Sequence, residues 1–119
     1  MKTHCELDVW RLAVDLAKEV YRVTTDFPKE EQFGLVAQMR RSAVSIPTNI
    51  AEGAGRQGTK EFIQFPYIAV GSACELYTQL EIATAVLACN ERDVIQPQEN
   101  LVRVTMMLRG LIRSLKGDS

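Results

Sequence analysis

Apolar residues in this chain return every three or four positions in four successive stretches, and no stretch alternates with period two. This pattern restricts the fold more than any other feature. A 3.6-residue period builds helices with one apolar face, and such a face needs other helices to cover it. In the first stretch Val9, Trp10, Ala13, Leu16, Ala17, Val20, Tyr21 and Thr24 share one side, while Arg11, Asp15, Lys18, Glu19 and Arg22 take the other. It stops before Pro28, whose ring pushes Phe27 out of helical geometry. The second begins near Glu30 and Glu31, acids suited to a helix N-terminus. It continues through Leu35, Val36, Met39, Ala43, Ile46 and Ile50 to a glycine-rich end at 53–58. Pro47 falls inside it and predicts a kink or short break over 44–48.

Thr59 is a fitting N-cap for the third stretch, whose heptad-like seam includes Phe62, Phe65, Ala69, Ser72, Leu76 and Ala83, with Gln79 or Leu80 between the last two. Pro66 places either the first turn of that helix or a bend in a longer one. The small residues Gly71, Ser72 and Ala73 leave room for another backbone to come close. After a break at 90–96, Pro97 opens the fourth helix at its first turn, followed by Leu101, Val104, Thr105, Leu108, Leu111, Ile112 and Leu115. Fraying is expected at 117–119. Four amphipathic helices on short connections predict an all-α fold, an antiparallel up-down four-helix bundle, as one domain over 1–119.

Several function classes fall away. No run approaches the roughly 20 apolar residues of a membrane span, and the N-terminus lacks a signal-peptide core. Cys5, Cys74 and Cys89 are an odd number with no close pair, which suits a reducing cytoplasm. One histidine, His4, and no CxxC or HExxH spacing argue against a metal site. Gly53, Gly55 and Gly58 follow a helix and lack the GK[ST] of a phosphate loop. With no nucleophile elbow and no titratable pair in a cleft, neither an enzyme nor a cofactor is expected.

Two polar groupings remain. Arg41, Ser45, Asn49, Glu52 and Arg56 follow one another at helical spacing, and Glu75 and Gln79 lie one turn apart beside the seam. The expected role of Arg41, Asn49, Glu52, Glu75 and Gln79 is mutual satisfaction between helices, with Arg41–Glu75 as one pair, because a charge near a core must be paired. A ligand-binding pocket is the sharper alternative. The second grouping is basic. The formal charge is −1, yet residues 32–60 carry four cations against Glu52, and 100–116 carry four cations and no acid. Cations late in a helix favour the macrodipole and keep a surface wet. They also suit a phosphate-contacting stripe drawn from Arg40, Arg41, Arg56, Lys60, Arg109 and Arg113. No aromatic is interleaved among them, so base stacking is not indicated.

The run from Gly34 to Arg56 (GLVAQMRRSAVSIPTNIAEGAGR) and that from Glu61 to Leu80 (EFIQFPYIAVGSACELYTQL) resemble the family encoded within intervening sequences of bacterial 23S rRNA genes. Leu7 to Ala13 (LDVWRLA) and Met107 to Ile112 (MLRGLI) agree with its first and last helices. The resemblance implies a four-helix bundle that forms a homo-oligomer, with a ring-like pentamer as precedent. Related accessory proteins of diversity-generating retroelements, which are more basic, imply RNA or DNA as a partner. The expectation is thus a non-catalytic oligomer binding structured RNA or other nucleic acid. A scaffold recruiting a protein partner is the alternative.

Overall fold

In the computed structural model, which describes residues 7–117, the first helix, α1 (Asp8–Thr24), closes where the sequence places its end. Thr24 finishes it by donating its hydroxyl to the Val20 carbonyl at 2.7 Å, and the chain turns at Phe27 ahead of Pro28. The expectations for His4, Cys5, Asp118 and Ser119 lie outside the described residues.

The chain coils again at once, in a 3₁₀ turn (Lys29–Glu31) and a π turn (Gln32–Val36), before regular helix α2 (Ala37–Ala54). The expected helical start at Glu30 is therefore irregular. Phe33 is 90 % exposed, and of the residues in these two turns Leu35 and Val36, at the very end, pack on the core. Of the kink or short break expected over 44–48, the break does not occur, since α2 runs continuously through Pro47. Pro47 denies the Ala43 carbonyl its usual N–H donor, but the ring is buried in the core. Close by, Thr48 Oγ1 donates to the Val44 carbonyl at 2.7 Å and Asn49 Nδ2 to that of Ser45 at 2.8 Å.

A single turn, α3 (Thr59–Phe62), leads into α4 (Gln64–Ala85). Thr59 is no cap: Gly58 occupies the position before the turn, and no side chain caps it. Pro66 is the third residue of α4, in the first turn, where its missing N–H has no carbonyl to serve. Helix α5 (Glu91–Leu115) corrects the last expectation, since Pro97 sits at its seventh residue rather than in its first turn. Asn90 and Asp93 start the helix instead, with the Asn90 N–H donating to Asp93 Oδ2 at 3.0 Å. From there Val94, Pro97, Leu101, Val104 and Leu108 form one buried stripe.

Among the described residues there is no strand. Helices α1, α2, α4 and α5 pack in that order around the core, and α5 closes against α1. The pairs across each seam run in opposite directions. Thr24 meets Arg40 while Trp10 lies near Ala51, Ser45 meets Ser72 while Gly53 meets Phe65, and Glu81 meets Gln98 while Tyr67 meets Lys116. The result is an antiparallel four-helix bundle of 46 × 22 × 19 Å. Leu16, Met39, Ile46, Ile50, Leu76, Leu80, Leu101 and Leu108 fill its centre. At Gly53 the end of α2 packs tightly against Phe62 of α3 and Phe65 of α4. A Cβ added there would stand 2.8 Å from Phe65 Cβ and 2.9 Å from Phe62 Cδ1.

Candidate nucleic-acid interface

Antiparallel packing sorts the charges by end. The end of α2, the α3 turn and the last turns of α5 lie together, because Gly53 touches Phe62 and Phe65, and Lys116 lies over Tyr67. The start of α1, whose Trp10 lies beside Ala51 and Glu52, is at this end too, so Arg11, Arg56, Lys60, Arg109, Arg113 and Lys116 stand against three carboxylates, Asp8, Glu52 and Glu61. The opposite end gathers the close of α1, the turns after it and the start of α5. There Asp26, Glu30, Glu31, Glu91 and Asp93 outnumber Arg22, Lys29 and Arg92. A chain of net charge −1 is thus polarised along its long axis.

The six cations expected to form one stripe are divided. Arg40 belongs to the acidic half, with its Nε donating to Thr24 Oγ1 at 2.9 Å and its guanidinium 4.5 Å from the Tyr21 ring centre. It ties α2 to the end of α1 and is half-buried. Arg41 is next to it and exposed. Arg56 comes sixteen residues after Arg40, about 24 Å along a helix axis. A single phosphate patch cannot include both. Sequence spacing could show which residues share a helix face, but not that Arg40 would be taken by α1.

At the basic end the heads remain presented to solvent. Arg56 pairs with Glu52 at 3.2 Å and lies 4.7 Å over the Phe65 ring, both groups being exposed. Such a surface pair contributes at most about 0.5 kcal/mol. Lys60, Arg109 and Arg113 are exposed, and the side chain of Lys116 is 5.8 Å from the Tyr67 ring centre. Lys116 belongs in this group, and its place beside Arg109 and Arg113 at helical spacing is its sequence signal.

The expected inter-helix network is also redrawn. Arg41 and Glu75 are both exposed and make no ion pair with each other, so neither charge needs burial to be offset. Asn49 does enter a network, but with serines: its Nδ2 lies 3.0 Å from Ser45 Oγ, which is 2.8 Å from Ser72 Oγ on α4. Glu52 serves Arg56 only. Gln79 Oε1 is buried with no partner. Two further bridges have no local signal: Glu19–Asn100 at 3.0 Å joins the first and last helices, and Glu81–Gln98 at 3.1 Å joins α4 to α5.

Among the described residues no three His, Cys, Asp or Glu side chains converge as metal ligands, and no helix is long and apolar enough to cross a membrane. A depression of about 600 Å³ lies at the acidic end between Arg22, Asp26, Phe27, Cys89 and Asp93. Its thiol is a poor nucleophile, because burial and then the Asp93 carboxylate push the Cys89 pKa up.

Comparison with known proteins agrees with the architecture. A crystal structure of a protein of unknown function from the S23 ribosomal protein family of Bacteroides thetaiotaomicron superposes with a TM-score of 0.82. The match covers 88 % of this chain and 98 % of that one at 21 % identity, a likeness that carries the fold alone. No curated protein matches the sequence. The family model of the 23S rRNA-intervening sequence protein matches residues 5–110, and the chain belongs to that family.

Proposed function

We propose that this protein is a non-catalytic binder of structured RNA, and that phosphates are met at the basic end by Arg56, Lys60, Arg113 and Lys116, with Arg109 one turn further in. The observation that carries the reading is the segregation of charge: six cations face three carboxylates at one end of a chain that is near neutral overall. Cations at the end of α5 also keep the favourable side of its macrodipole, so they add a positive field without destabilising the helix. A family named for intervening sequences of 23S rRNA supports RNA as the ligand class.

Contacts of this kind carry no base readout, so affinity follows salt rather than sequence. With about four phosphates neutralised, log affinity falls with log salt at a slope near −3. A fragment of 23S rRNA titrated with protein at low salt should shift in a gel, and the shift should fade as salt rises. Arg113→Ala should lower the slope by about 1, whereas Arg40→Ala should leave it unchanged. No shift at low salt, or a shift indifferent to salt, sinks the proposal. In the second case the protein-recruiting scaffold takes its place.

A further inference from the structure

We infer that the basic end binds RNA at an unpaired nucleotide, whose base stacks on the ring of Tyr67 while Arg113 and Lys60 hold neighbouring phosphates. The inference rests on the RNA reading above and adds the kind of RNA. Along the sequence no aromatic is interleaved among the cations, and phosphate contacts carry no information about bases. Folding changes this. It brings the start of α4 between the ends of α2 and α5, so that Arg56 lies 4.7 Å over the Phe65 ring and Lys116 lies 5.8 Å from the centre of the Tyr67 ring.

The two rings have different duties. Phe65 is half-buried, and its Cβ would stand 2.8 Å from a Cβ at Gly53, so it packs the junction of α2 and α4. Tyr67 is 48 % exposed and outside the core, with Ile68, 50 % exposed, next to it. The first charge in α4 is Glu75, two turns beyond Tyr67, so that helix sets no carboxylate beside a base placed on the ring. The carboxylates of this end belong to other elements: Asp8 starts α1, Glu52 pairs with Arg56, and Glu61 lies on α3. Trp10 is a poorer platform, because it borders a groove with Pro47, Ala51 and Glu52, where a carboxylate meets any base.

Tyr21 supplies the contrast. It is 44 % exposed and has Arg40 at 4.5 Å from its ring centre, much as Tyr67 has Lys116. Arg40 is also bound to Thr24, however, and Asp26, Glu30 and Glu31 follow in the chain, so phosphate is not drawn there. Stacking on a tyrosine is tolerant of sequence, since every base has a flat face. In a paired helix those faces are covered by neighbouring bases, so a ring reaches one only in a loop, a bulge or an end.

Two RNA probes with equal numbers of phosphates test this, a hairpin with a single-stranded adenosine loop and a fully paired duplex. At matched low salt the hairpin should bind about tenfold more tightly. Tyr67→Leu should bring the hairpin down to the duplex, with duplex affinity, salt slope and helicity by circular dichroism unchanged. Tyr67→Phe keeps the ring and should bind as the wild type does, and so should Tyr21→Leu. A fluorescent adenine analogue in the loop should be quenched on binding the wild type but not on binding Tyr67→Leu. Equal binding of the two probes, or a hairpin preference that survives Tyr67→Leu, overturns the stacking and leaves the phosphate reading in place. If neither probe binds at low salt, both readings fail.

Discussion

Helices α1 and α4 differ on their outsides and hardly at all on their insides. Each sends a continuous stripe to the core, Val9, Ala13, Leu16 and Val20 from one and Ala69, Ala73, Leu76 and Leu80 from the other. Outside, α1 carries six charges of both signs in 17 residues, while α4 carries two acids in 22. The inner stripe builds the bundle, and either helix could supply it. The outer faces differ in what they show to water: mixed charges on α1, and mostly uncharged side chains such as Tyr67, Tyr77 and Ile82 on α4.

If the inner stripes are equivalent, Leu16→Ala and Leu76→Ala should cost about the same, on the order of 3 kcal/mol each by denaturant unfolding. A difference of more than about 2 kcal/mol would mean that the two helices hold the core unequally. The next largest effect concerns how α4 is seated. Gly53→Ala drives a methyl group into Phe65 Cβ and the Phe62 ring, and should destabilise by about 1–3 kcal/mol in the same measurement. Gly71→Ala, with open space around it, should be free of that clash and gain from better helix propensity within the chain.

A smaller effect of opposite sign lies at the C-terminal end of α4. The helix closes in a Schellman arrangement, with Ala88 N–H donating to the Ala83 carbonyl at 2.9 Å and Leu87 N–H to that of Thr84 at 3.1 Å. Such a closure puts the residue after the cap in the left-handed region. At the end of α5 that residue is Gly117, with φ 74°, whereas at the end of α4 it is Leu87, with φ 61° and 85 % exposure. Leu87→Gly should therefore raise stability by about 1 kcal/mol, seen as a higher melting temperature. No gain would mean that the leucine makes a compensating contact in the folded protein.

The smallest expected effects sharpen the contrast between the outer faces. Lys18→Ala on α1 and Thr78→Lys on α4 both alter exposed positions and should each shift unfolding by less than about 0.5 kcal/mol. A larger change for either would mean that the outer face of its helix contributes to holding the bundle together.

Much of the bundle was legible because helical periodicity is a local property. The core stripes and the end of α1 at Thr24 follow from it. The prolines misled in two places. Pro97 suggested a first turn, but the Asn90 and Asp93 cap pattern seven and four residues earlier was the stronger start signal. Pro47 suggested a kink or short break, yet the helix continues through it with the ring buried in the core. The candidate site was less legible. Arg40, Arg41 and Arg56 share a basic segment, but whether an arginine faces phosphate or a neighbouring helix depends on that neighbour. Thr24 takes Arg40, and nothing near residue 40 in the chain foretells it.

Sequence alone determined four apolar stripes, the short connections between them and a near-neutral total of charge. Each depends on residues a few positions apart, where backbone geometry fixes which side chains share a face. Tertiary structure decided where the charges gather and which faces stay bare. Folding α3 and the ends of α2 and α5 to one place turns a charge of −1 into a basic end and an acidic end. That polarity is a property of helix order and direction, because position along the bundle depends on which way each helix runs.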